Sequence, residues 1–221
     1  MFNNKEAMQK IWVVKITEND SFLTKERLLK NLPESIYNRA NRYLDAESSW
    51  SFITGRLLLK KVLSENKISP SLLEEIHYSD HGKPSFIDYN FSLSHSNWYV
   101  VLIFGTSFSV GIDIEKKKNI DLNLFKYLFT DLEWKSIITS ENPLERFYWF
   151  WVRKEALLKA VGCALKDLKL LEVNEHFGIY KDKRYLFKTF DFDSEFNGVV
   201  AMEDKIEVEV KHIQMADLLD Y

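Results

Sequence analysis

Apolar positions recur along this chain with two periods, about 3.6 residues and 2, and the changes from one to the other predict its helices and strands. Residues 11–16 form an apolar run of strand length. Over residues 35–44, Ile36, Ala40, Tyr43 and Leu44 stand at helical spacing. Asp45 is positioned to cap a second helix from Ala46 to about Ser64, with Phe52, Ile53, Leu57 and Leu63 in its core stripe. Residues 79–84 predict a turn punctuated by Gly82 and Pro84. Residues 91–104 read as two strands joined near Ser96 and Asn97.

The second half repeats this plan loosely. A strand over residues 110–115 precedes helical stretches over 122–129 and 131–139. Asn142 and Pro143 open a long helix to about Val161, which Gly162 ends. Strands fit 170–173, 178–180, 185–191, 198–202 and 206–210. The expected fold class is α+β, with halves at 1–109 and 110–221. Each half has a long helix followed by a few strands, and no Gly/Ser-rich linker separates them.

Two stretches carry the candidate chemistry. Within Val110-Gly111-Ile112-Asp113-Ile114-Glu115, alternate residues share a face, so Asp113 and Glu115 point one way while Val110, Ile112 and Ile114 face the core. In the long helix Glu155 and Lys159 lie one turn apart on one face. Three carboxylates and a lysine, drawn from a rigid strand and a rigid helix, could hold a divalent cation against an anionic substrate. The plainer alternatives are solvated acids on a half-buried strand, and a surface pair contributing about 0.3–0.5 kcal/mol. The aromatic run Phe147 to Trp151 argues for burial around Glu155, and a buried carboxylate needs a cation or a hydrogen-bonding partner.

Composition narrows the partners. Hydrophobic residues make up 46% and charged residues 29%, with a net charge of −3, which argues against non-specific coating of nucleic acid. Cys163 is the one cysteine, so an internal disulfide and a Cys-based zinc site are not expected. Residues 1–10 lack the apolar core of a secretory leader, and no run nears the roughly 20 apolar residues of a membrane helix. A cytoplasmic, membrane-free monomer is the expectation.

Gly111-Ile112-Asp113-Ile114-Glu115, followed by Lys154-Glu155-Ala156 and Lys159, resembles the signature of the 4′-phosphopantetheinyl transferase superfamily. Gly82-Lys83-Pro84 and Phe91-Ser92-Leu93-Ser94-His95-Ser96 resemble two motifs of its Sfp-type (surfactin-synthetase-activating) branch. The resemblance implies two similar α+β halves packed as a pseudo-twofold pair around an active-site cleft. It implies transfer of 4′-phosphopantetheine from coenzyme A to a serine of an apo carrier protein, leaving 3′,5′-ADP. Mg²⁺, or Mn²⁺, would be held by Asp113, Glu115 and Glu155. Lys159 would meet phosphate oxygens, with Lys154 neutralising charge at the same cleft, and Glu133 or Glu155 would serve as base, Glu133 being equally well explained as a helix-start acid. Lys83, Ser94 and His95 would surround the nucleotide end of coenzyme A, with His95 near its 3′-phosphate. Arg39 and Arg42, on the first long helix, would approach the same group, while Arg56 has either a binding or a structural role.

Val152, Ala164, Ser51 and Phe52 depart from the family pattern, which bears on nucleotide affinity and removes no candidate metal ligand. The basic run Lys116-Lys117-Lys118, with Phe125, Tyr127, Leu128 and Phe129, is either ordinary surface and core or a dock for an acidic carrier. Two other functions remain open on sequence: a Mg²⁺-dependent phosphohydrolase using water as acceptor, and a catalytically silent binding module.

Overall fold

The structure, a computed structural model, describes residues 8–18, 20, 23–106, 108–204 and 207–219. Chain order begins β1 (Met8–Lys15), α1 (Lys25–Leu29), α2 (Glu34–Ala40), α3 (Ala46–Glu65), β2 (His77–Tyr78), β3 (Pro84–Ser85), β4 (Asn90–Ser96) and β5 (Tyr99–Thr106). It continues with β6 (Val110–Lys116), α4 (Asp131–Ile138), α5 (Pro143–Val161), β7 (Glu172–Val173), β8 (Phe177–Tyr180), β9 (Lys183–Thr189), β10 (Phe196–Met202) and β11 (Glu207–Ile213). This is an α+β fold. Among the described residues no helix is long and apolar enough to cross a membrane.

Local chemistry fixes both long helices. The Asp45 carboxylate accepts from Ser48 N at 2.7 Å and starts α3. Asn142 caps α5 by accepting from Glu145 N at 3.2 Å, and Pro143 occupies the first turn. Gly162 then ends α5 in the left-handed region at φ 78°, its N–H donating to Leu158 O at 2.7 Å.

Three expectations shift. The helix expected over residues 35–44 stops at Ala40, because Leu44 is fully exposed with no core to face and Asp45 is extended to cap α3. Residues 122–128 form a 3-10 helix rather than an α-helix, with Leu124 and Tyr127 turned to solvent. The β4–β5 hairpin turns at Asn97 and Trp98, both at positive φ (47° and 67°), one residue later than expected.

Two large sheets result, one in the order β11-β1-β5-β4 and one in the order β6-β10-β9-β8-β7, besides the two-stranded pair β2-β3. Strand β11 runs parallel to β1, with Met8 opposite Glu207 and Val14 opposite Ile213. The last strand therefore returns to the first sheet, beside β1. The strand start expected at Ile206 lies outside the described residues.

Helix α3 packs Ile53 and Leu57 on one face of the first sheet, among Val14, Val100 and Leu102. Helix α5 packs Ala156 and Leu157 on one face of the second, among Val199 and Ala201. Residues from both sheets share a third core, in which Ile11, Val13 and Val101 meet Ile112, Ile114 and Val200.

Edge strands β4 and β6 meet without a backbone ladder. Ser92, Ser94 and Ser96, alternate residues on one face of β4, accept from the backbone N–H groups of Ile112 (3.0 Å), Ile114 (3.3 Å) and Lys116 (3.2 Å). Each pair is separated by the same 20 residues, so the strands run in the same direction. Three hydroxyls thereby satisfy edge donors that burial would otherwise leave unpaired.

Candidate active site

Gly111 allows α5 to lie directly on β6. A Cβ at this position would collide with Ala156 O and Ala160 N, so only glycine permits the approach. Two residues on, Asp113 then faces Lys159. Its Oδ1 accepts from Lys159 Nζ at 2.7 Å and from Ser94 Oγ at 2.8 Å, and Lys159 Nζ also donates to Ser94 Oγ at 2.9 Å. Asp113 is buried, and its Oδ2 has no hydrogen-bond partner. The acid on the outer face of a half-buried strand is thus enclosed at the join of the two sheets.

Glu115 is held at both oxygens. Oε1 accepts from Trp151 Nε1 at 3.1 Å and Oε2 from Ser96 Oγ at 3.1 Å. Burial, and then the Asp113 charge, push the Glu115 carboxyl up to about 7. The same two causes, in the same order, push Glu155 up to about 7, with Lys159 opposing them. Burial disfavours the Lys159 ammonium, but Asp113 and then Glu155 outweigh it, so its pKa is raised. Three acids thus surround one ammonium, and the cluster is short of positive charge. Among the described residues no group of three or more His, Cys, Asp or Glu stands arranged to hold a metal ion.

A cleft of about 280 Å³ opens beside this cluster, lined by Lys83, Ser94, His95 and Lys159 together with Phe52 and Arg56. The β2–β3 turn directs Lys83 there: Gly82 adopts φ 80°, and Lys83 N donates to Ser79 Oγ at 3.1 Å. Lys83 Nζ then donates to Ala160 O at 2.9 Å, in the last turn of α5 where a cation is favoured. Burial lowers this lysine to about 8. The His95 side chain reaches solvent, yet crowding around its ring, and then the Lys159 charge, lower its pKa.

The arginines are distributed differently from expectation. Arg39 lies on α2 rather than on the first long helix, with its guanidinium 4.2 Å from the Tyr78 ring centroid. Arg42 is exposed in the turn beyond α2, because that helix stops at Ala40. Neither lines the cleft. Arg56 does: it is buried, donates to Tyr78 OH at 3.3 Å, and leaves its buried Nε without a partner.

Glu133 and Lys154 are paired with each other, and neither lines the cleft. Lys154 is fully buried and spends its three protons on Leu168 O (2.8 Å), Leu171 O (2.8 Å) and Glu133 Oε1 (2.9 Å). The other oxygen of Glu133 accepts from Thr130 N at 2.9 Å, closing a capping box at the start of α4. The pair ties α4 and α5 to the segment after α5. With an i to i+1 rotation of about 100° around a helix, Lys154 points away from the Glu155 face.

The basic run is partly committed elsewhere. Lys116 pairs with Glu195 and Lys117 with Glu145, each at 3.2 Å. Of the apolar residues beyond it, Leu128 and Phe129 are buried and Phe125 packs on Phe147 and Trp151, leaving Tyr127 with its neighbour Leu124 exposed. Sequence reasoning missed Ser96 and Trp151 as partners of Glu115. The signal was present: Trp151, Glu155 and Lys159 recur every fourth residue, and the β4 serines every second.

Residues 109–204 match the family model of the 4′-phosphopantetheinyl transferase superfamily. The 4′-phosphopantetheinyl transferase gsp of Aneurinibacillus migulanus is 30% identical over 125 residues, covering 55% of this chain and 52% of its own. The human L-aminoadipate-semialdehyde dehydrogenase-phosphopantetheinyl transferase is 29% identical over 171 residues, 66% and 55% of the two chains. The 4′-phosphopantetheinyl transferase Sfp of Bacillus subtilis is 28% identical over 148 residues, 63% and 64%. The matched part of the chain thus spans about half the length of the first two of these relatives. The holo-[acyl-carrier-protein] synthase (AcpS) structure of Thermotoga maritima aligns at a TM-score of 0.31 and 17% identity over 44% of this chain and 64% of its own, too slight a likeness to bear on the fold. Over its strand–helix core, residues 109–204, the chain is thus similar to the 4′-phosphopantetheinyl transferase superfamily.

Proposed function

We propose that this protein transfers 4′-phosphopantetheine from coenzyme A to a serine hydroxyl of an apo carrier protein, releasing 3′,5′-ADP. The carrying observation is the meeting of Asp113 and Lys159 with Ser94, where Ser94 and Lys159 line the cleft that also holds Lys83 and His95. The motifs around Lys83 and His95, with the similarity to the Sfp protein, support assignment to the Sfp-type branch.

Asp113, Glu115 and Glu155 would hold a divalent cation, Mg²⁺ or Mn²⁺. The fit rests on an orphaned buried oxygen, Asp113 Oδ2, and on two carboxyls pushed up by burial and then by the Asp113 charge. Their oxygens are the hard donors such a cation takes. When bound, the cation offsets negative charge on the pyrophosphate oxygens of coenzyme A. The chain's own residues supply the rest. Lys159, released from Asp113, offers its ammonium to a phosphate oxygen as a point charge. Lys83 and His95 line the nucleotide side, with Arg56 at the same cleft. Glu155, beside Lys159 on the same face of α5, is the residue assigned to take the serine proton through an intervening water. Glu133 is not needed for that step.

The test is coenzyme A turnover with and without apo carrier. Carrier-dependent release of 3′,5′-ADP supports transfer. Release at the same rate without carrier makes the protein a phosphohydrolase, and binding without turnover makes it a silent module.

A further inference from the structure

The Glu115 carboxylate is the one member of the acidic cluster whose two oxygens both accept from neutral side chains. The donors come from different elements: Ser96 from β4 of the first sheet, and Trp151 from α5. Neither donor is free to turn away. Ser96 Oγ accepts from Lys116 N at 3.2 Å, which leaves its single proton for Glu115 Oε2. The Trp151 ring is wedged among Phe125 (5.5 Å between centroids) and Phe147 (5.7 Å, stacked), so its N–H is aimed by packing. Each Glu115 oxygen therefore spends one lone pair on a fixed donor and keeps another. Asp113 differs, since its Oδ1 takes a charged donor and its Oδ2 takes none.

We propose that Ser96 and Trp151 are positioning residues that fix the plane of the Glu115 carboxylate for a divalent cation. This rests on the metal reading given above. The join between the sheets then has a second use: the hydroxyl that ties β4 to β6 also orients an acid of β6. Partners that orient a ligand in this way typically alter metal affinity or activity about 10–100-fold when removed.

The test is Mn²⁺ titration, followed by the electron paramagnetic resonance signal of the free ion, on wild type, Ser96→Ala, Ser96→Thr and Trp151→Phe. Thermal unfolding of each variant accompanies it. Trp151→Phe keeps an aromatic ring and removes the N–H; Ser96→Thr keeps the hydroxyl. The expected result is Mn²⁺ affinity reduced about 10–100-fold in Ser96→Ala and in Trp151→Phe, and restored to within about threefold of wild type in Ser96→Thr. The apparent KM for coenzyme A at saturating Mn²⁺ should stay unchanged. Lower melting temperatures with wild-type Mn²⁺ affinity would overturn the positioning role and leave both residues purely structural. A wild-type protein that binds no Mn²⁺ would overturn the metal reading itself, and the positioning role with it.

Discussion

Ser94 and Asp113 meet across the join of the two sheets, the Ser94 hydroxyl donating to Oδ1 at 2.8 Å while accepting from Ile114 N at 3.3 Å and Lys159 Nζ at 2.9 Å. One hydroxyl thus serves the sheet junction, the buried acid and the ammonium together. Ser94→Ala removes a hydrogen bond to a charged group and leaves Ile114 N unpaired. It should destabilise the fold by about 1.5–3 kcal/mol in urea unfolding. Ser94→Thr, which retains the hydroxyl, should lose less than half of that.

Lys159 is the cation on which Asp113 depends, with its own side chain about a quarter exposed. Lys159→Met keeps the apolar stem and strands the buried carboxylate, a loss of about 3 kcal/mol, at the low end for a buried pair because of that exposure. Added Mg²⁺ should raise the melting temperature of Lys159→Met more than that of wild type, since the variant has lost its internal counter-charge. Equal shifts in both proteins would argue that the cation binds elsewhere.

The pH dependence follows from Glu115 and Glu155, both pushed up to about 7 by burial and then by Asp113. Their folded-state values lie above the ordinary value of 4.5, so the folded protein holds these protons more tightly than the unfolded chain. Their contribution to stability is complete below about 4.5 and is lost as pH rises through about 7. In EDTA the melting temperature should therefore fall between pH 5 and pH 8 more steeply for wild type than for Glu155→Gln. Superimposable slopes would remove Glu155 from the coupled cluster.

Glu133 and Lys154 provide a contrast. Glu133→Ala leaves a fully buried ammonium without its carboxylate and should cost about 3–5 kcal/mol of stability. Transfer per folded molecule, measured at low temperature, should stay within a few-fold of wild type. A large fall in kcat with unchanged stability would restore the base role to Glu133.

Much of the site was legible because it is built from short-period patterns. The alternation over 110–115 put Asp113 and Glu115 on one face, and the four-residue step put Glu155 beside Lys159. The capping of α3 by Asp45 and the ending of α5 at Gly162 were read from single residues. What failed was non-local. The resemblance put Lys154 at the cleft with Glu155, although one residue of helix turns it about 100° around the axis, where Leu168 O and Leu171 O receive it. Pairing of β11 with β1 joins residues some two hundred positions apart, and no local period reports it. Helix α1, five residues long, is too short to declare a period. The β4 serines alternate visibly, but their partners on β6 appear only when the two edges abut.

The most direct test of the central claim is intact-mass spectrometry of an apo carrier protein incubated with coenzyme A, Mg²⁺ and either wild type or Asp113→Ala. The account predicts that wild type adds one phosphopantetheinyl group to the carrier serine and releases one 3′,5′-ADP per group added. Asp113→Ala should remain folded and add none on the same timescale. A carrier modified as quickly by Asp113→Ala, or an unmodified carrier across a panel of acyl, peptidyl and aryl types, would contradict it.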